Sequence, residues 1–277
     1  MTVGSRSREA RRYVDRDAVV WGPGDAVEVP FTSAGEPSRM KIRGERECGE
    51  CGTRWSYYET GSVGCPACGS LRSVGRDDER REHTDMPAEL DLTPIRAAVD
   101  DAPVAELAER AADVCREYIR RRGFVSGGDL RDLDDTYVAA LECRHAARAA
   151  DRMRSLTEAE ELYVLALLRG ADRGERPPTD AVPASLRSAR GLAAADAVDD
   201  YRRDLRTWAE DGTLATDERA ALGALGDHAK RLRMLDGEVA PEKATSLLAA
   251  ARELATAVRD GDETALARAE DRLERLV

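Results

Sequence analysis

The stretch that constrains this chain most is CGECGTRWSYYETGSVGCPACG, residues 48–69, which places four cysteines in two C-x-x-C pairs. Two residues between the cysteines of a pair let one tight turn present both sulfurs, and two such turns complete a tetrahedron. Gly49, Gly52 and Gly69 flank the pairs, and Pro66 presets the second turn. A glycine after the second cysteine can take positive φ, which points backbone N–H groups at the thiolates. The 13 residues separating the pairs leave room for two strands and a turn and for no helix. The pattern predicts a metal site made by Cys48, Cys51, Cys65 and Cys68, holding one structural Zn²⁺. Disulfides and iron are the other chemistries open to four cysteines.

Composition bears on that choice. The chain has 277 residues, 42% of them hydrophobic, enough for a small module and a domain with its own core. No segment approaches the roughly 18 apolar residues of a membrane span. The N-terminal MTVGSRSREARRYVDRD has no apolar run to serve as a secretory signal. A cytoplasmic location is expected, and in that reducing compartment the paired cysteines read as thiolate ligands.

Acidic residues number 54 against 43 basic ones, of which only Lys41, Lys230 and Lys243 are lysine. An arginine-rich, carboxylate-rich composition of this kind is similar to that of haloarchaeal proteins, whose charged surfaces answer to salt rather than to partners. By region, residues 1–39 carry six basic and six acidic side chains, residues 40–76 six and four, and residues 77–277 31 and 44. The cysteine module, at net +2, is the one basic island.

Residues 1–39 are broken by Gly22, Pro23, Gly24, Pro30, Gly35 and Pro37, with a short strand expected only at DAVEVPF. They are read as a disordered segment, or as an extension preceding a start at Met40. Residues 40–76 predict a ribbon of short strands, KIRGERE, TRWSYYET and SLRSVG. A module this short buries too little apolar surface to fold without a staple, and a metal supplies one. Residues 77–92 read as a charged linker. From residue 93 to the end the pattern is helical, an acidic all-α domain of seven or eight helices. The expected helices are a short one opened by Thr93 and Pro94, then one running up to Gly123, then 129–154, 157–169, 184–211, 217–235, 241–259 and 263–276. The fold class is thus a small β zinc ribbon followed by an all-α helical bundle. Cys115 and Cys143 have no C-x-x-C partner and read as buried small hydrophobes.

Residues 40–76 look like a zinc ribbon, and the stretch MKIRGERECGECGTRWSYYETGSVGCPACGSLRSVG resembles a haloarchaeal family described as containing a transcription-initiation-factor-B-type ribbon. In that factor the proline-bearing pair comes first, whereas here CGEC precedes CPAC. The resemblance carries over the four ligands and nothing catalytic. A rubrerythrin-like reading needs two Glu-x-x-His motifs, but only Glu142 with His145 supplies one, since Arg80 and Leu225 stand three before His83 and His228. Glu142 and His145 read as a surface or helix-packing pair. The similar junctions DGTLATDERAAL and DGEVAPEKATSL fail as calcium loops, because Thr207, Leu232, Ala209 and Met234 fall at ligand positions. They read as helix hairpins.

With no phosphate-cradling loop or nucleophile elbow, no enzyme is expected, and four thiolates leave zinc no place for water. The function expected is that of a non-enzymatic adaptor with a protein partner in transcription or translation. The alternatives are direct nucleic-acid binding and a rubredoxin-like electron carrier. The candidate ligand surface is Arg43, Arg46, Arg54, Arg72 and Arg76 beside Trp55, Tyr57 and Tyr58, arginines for phosphates and rings for bases. For Trp55, packing within the ribbon is preferred.

Overall fold

The computed structural model describes residues 41–209 and 214–276. The expectations for residues 1–39 and for Met40, and the first of the two similar junctions at Asp211 and Gly212, lie outside them. The described residues cluster as one unit.

The N-terminal part is built from very short strands. β1 (Lys41–Ile42) pairs antiparallel with β5 (Arg81–Glu82), and a three-stranded sheet runs in the order β3-β2-β4, with β2 at Glu45–Cys48, β3 at Arg54–Ser56 and β4 at Ser73–Gly75. Register sets Arg46 opposite both Trp55 and Gly75, and Cys48 opposite Ser73. One expectation fails here: TRWSYYET is not strand throughout, because Tyr57–Thr60 forms a single helical turn, α1, closed by Gly61 in the left-handed region. The 13 residues between the cysteine pairs therefore do hold a helical turn, and Gly61 is what confines it to one.

Residues 77–92, expected as a charged linker, are instead built into the fold. Beyond β5, His83 and Asp85 are buried, and Thr84 and Asp85 both direct their N–H groups to Val125 O. Val125 belongs to an unexpected hairpin of β6 (Val125–Ser126) and β7 (Asp129–Leu130) turned by Gly127 and Gly128, both at positive φ, as a two-residue hairpin turn demands. The helix expected from residue 129 accordingly starts later, as α4 (Asp135–Asp151), where the Asp134 carboxylate accepts the Tyr137 N–H.

The remaining helices are α2 (Thr93–Arg96), α3 (Val104–Arg121), α5 (Glu158–Gly170), α6 (Arg187–Trp208), α7 (Thr216–Met234), α8 (Pro241–Asp260) and α9 (Glu263–Glu274), with short 3₁₀ turns between α5 and α6. Among the described residues this makes eight α-helices after residue 92. α6 is the hub, packing on α4, α7 and α8. Half of its buried residues are Ala, with Arg190, Gly191, Val198, Tyr201 and Leu205 making up the rest, and small residues let several helix axes approach one central helix. Phe124, delivered by the turn before the hairpin, meets Tyr137 and Tyr201 edge-on, each with ring centroids 4.8 Å away. The second similar junction is a hairpin as expected: Gly237, at positive φ, directs its N–H to Leu232 O, and Pro241 opens α8. Among the described residues no helix is long and apolar enough to cross a membrane.

Candidate metal centre

The two C-x-x-C turns are built alike. Cys48 N–H donates to Thr53 O at 2.9 Å and Gly52 N–H to Cys48 O at 3.0 Å; Cys65 N–H donates to Ser70 O and Gly69 N–H to Cys65 O, both at 2.9 Å. Gly52 and Gly69 sit at φ +71 and +72, where any Cβ is strained. The tight spacing and the two glycines are therefore what aim four sulfurs at one point. Those sulfurs all lie within 4.8 Å of one another, with Cys48 to Cys68 at 3.6 Å and Cys51 to Cys65 at 3.5 Å. A tetrahedron of thiolates at about 2.3 Å from zinc has edges of about 3.8 Å. The four cysteines are thus close enough to hold a metal ion. Cys48 and Cys65 are buried and Cys51 and Cys68 exposed, so the site rests on the module's small interior with one edge toward solvent.

The electrostatics of the donor set also favour a cation. Hydrogen bonding with Thr53 pulls the Cys51 thiol down to about 6. The Cys68 thiol, although the Ser70 N–H hydrogen bond opposes it, is pushed up to about 12 by the sulfurs of Cys51 and Cys48. One thiolate forms readily and the next is resisted by its neighbours, a resistance that a bound dication removes.

The structure splits the predicted ligand surface. Trp55 is buried, its indole N–H donating to Ser62 O at 3.0 Å, and together with Cys48 and Cys65 it forms a small interior separate from the helical core. Tyr58 donates to Ile42 O and its ring lies 4.9 Å from that of His83, while Tyr57 meets His83 from the other contact at 5.8 Å. The arginines are likewise engaged. Arg54 and Arg76 both reach the Glu47 carboxylate, at 2.9 and 3.5 Å, and Arg72 pairs with Glu50 at 2.9 Å. Arg46 donates to the Ser73 hydroxyl and carbonyl, and the stem of Arg43 lies over Gly75. The side chains of Arg54, Arg72 and Arg76 nevertheless stay more than half exposed, and beside them the surface exposes aliphatic side chains: Val63 at 45%, Leu71 at 76% and Val74 at 58%.

Sequence reasoning missed this apolar surface and the junction that carries the module. The available signal was the run Thr60–Leu71, twelve residues without a charge in a chain that is 35% charged. At the junction, Asp85 accepts from Arg122 at 2.6 Å and lies 3.3 Å from Arg131, and the Asp204 carboxylate takes both the Thr84 hydroxyl and the Phe124 N–H. Glu142 and His145 do not pair with each other. Glu142 is fully buried and accepts from Tyr163, Arg190 and Arg176, whereas His145 Nε2 is 2.8 Å from Asp196. Cys115 and Cys143 are buried on α3 and α4, as expected.

Residues 40–273 match a family of unknown function, DUF7117. None of the curated proteins matches the chain, and none of the solved structures does.

Proposed function

The chain belongs to the DUF7117 family, and from that premise we propose that it is a non-enzymatic adaptor. In this reading Cys48, Cys51, Cys65 and Cys68 hold one structural Zn²⁺ in a ribbon of the transcription-initiation-factor-B type, as part of a haloarchaeal cytoplasmic protein, and the ribbon docks on another protein. The observation that carries the reading is the exchange of surface character within the module. Trp55 is buried, Tyr57 and Tyr58 are half-buried against His83, and the exposed Arg54, Arg72 and Arg76 are paired with glutamates, while Val63, Leu71 and Val74 stand in solvent. Exposed aliphatic side chains gain by burial against a protein surface and gain little from phosphates. Four thiolates around one ion leave no open coordination position, which is why the site is read as structural.

Leu71→Arg tests the docking reading, because Leu71 is exposed and its replacement leaves the cysteine turns intact. The variant is expected to fold, retain its metal and lose the protein partner recovered with the wild-type chain from its native extract. Recovery of the same partner by both proteins contradicts the reading.

A further inference from the structure

Away from the ribbon, a cavity of ≈470 Å³ opens between α6 and α7, lined by Arg202, Lys230 and Arg233 with Asp199, Asp227, Gly223 and Gly226. Its volume falls in the range of small-ligand sites, about 300–1,000 Å³. Arg233 is neutralised by Asp196 and Asp199, and Arg202 shares the Asp199 carboxylate, whereas Lys230 has no carboxylate partner among the described residues. Arg202 Nε stands 3.6 Å from Asp199 Oδ1, and both atoms are buried without a hydrogen-bond partner. Among the described residues, neither Lys230 nor Asp227 forms an ion pair.

The floor of the cavity is unusual for a helix. Two glycines lie in the middle of α7, where each is less favourable than alanine. Gly226 has a packing reason, since a Cβ there would come within 2.7 Å of Arg202 Cζ, so its absence lets the guanidinium lie against the helix. Gly223 has none, because a Cβ there would meet nothing within 4 Å. The site thus combines a guanidinium that is ion-paired with Asp199 but has no hydrogen-bond partner for its Nε, a lysine without a carboxylate partner and a stretch of bare helix. It lies in a part of the chain, residues 77–277, whose 44 acidic and 31 basic residues would otherwise repel anions.

We propose that this cavity binds a phosphate-bearing small anion, gripped by the guanidinium of Arg202 and the ammonium of Lys230 and seated over Gly223. A guanidinium presents parallel N–H donors to two phosphoryl oxygens, and a lysine adds a mobile point charge. The test is calorimetric titration of the full-length protein with pyrophosphate and, in a second arm, with ADP, at ionic strength held constant with KCl. The expected result is saturable one-site binding, weakened about tenfold or more by either Arg202→Gln or Lys230→Gln. Lys230 is exposed, so its variant reports on binding rather than folding. Gly223→Ala should raise the melting temperature of the free protein and weaken binding, a combination that a purely structural glycine would not give. Equal affinity for the two ligands assigns the site to the diphosphate group itself, and tighter ADP binding assigns it to a phosphorylated metabolite; both sustain the proposal. Heats no larger than those of KCl dilution up to millimolar pyrophosphate overturn it, as does binding that both glutamine variants leave unchanged.

Discussion

At the scale of single residues, the cysteine centre and Glu142 make opposite kinds of claim. The four sulfurs were legible from spacing, because a C-x-x-C turn fixes its own geometry within a few residues and owes little to the rest of the chain. The purified protein should therefore contain one zinc per chain by elemental analysis and be colourless, whereas stoichiometric iron with the red of a ferric thiolate site would replace zinc by the electron-carrier reading. Glu142 was not legible in this way. Its partners Tyr163, Arg176 and Arg190 stand 21, 34 and 48 residues away, and no local pattern announces a carboxylate that three distant side chains will enclose. Removing it leaves Arg190, itself buried, without its counter-charge, and the loss of one partner from a buried pair costs about 3–5 kcal/mol. Glu142→Ala is expected to lower the urea midpoint by a corresponding amount, and a change below about 1 kcal/mol would show that the pair contributes little.

At the scale of elements, long helices with clear apolar stripes were readable and short ones near turns were not. The periodicity from Val104 to the stop at Gly123 gave α3 almost to its ends, since helical spacing is a local property that burial then uses. The β6–β7 hairpin was missed although Ser126-Gly127-Gly128-Asp129 carries its turn chemistry, because two-residue strands have no periodicity to detect. The strap of residues 81–86 was missed for a different reason: its charges suggested solvent, but Asp85 is held by Arg122 and Arg131 from elements that follow it. A testable link between elements is Asp196 on α6, which joins α4 through Arg144 and His145 and α7 through Arg233. Burial would raise its pKa, but the hydrogen bonds from His145 and Arg233 outweigh burial and hold it below the ordinary 3.8. The carboxylate's contribution is therefore present above about pH 4 and lost as pH falls through the lowered folded value. Asp196→Asn should be less stable than the wild type at pH 7, with the gap closing under acid. A gap that stays constant through that range would mean that the charge on Asp196 is not what joins the helices.

At the scale of the molecule, the small interior of Cys48, Trp55 and Cys65 and the large helical core are distinct clusters, connected through the Tyr57, Tyr58 and His83 contacts and the strap. A metal that staples only the smaller one leads to a separable loss. Cys48→Ser and Cys65→Ser should abolish metal binding and ribbon structure while helical circular dichroism persists, and collapse of the whole helical signal would show one shared cooperative core. The adaptor reading also has a consequence for partners. With Trp55 buried and Tyr57 and Tyr58 half-buried against His83, the module offers nucleic acid a net charge of +2 beside 201 residues of net −13. At 1 M salt, screening confines charge attraction to about 3 Å. The most direct measurement is fluorescence anisotropy of labelled DNA and RNA, titrated with the full-length, metal-loaded protein from low to molar salt. The account predicts weak binding that fades as salt rises and is undetectable in molar salt; tight, sequence-selective binding that survives molar salt would contradict it.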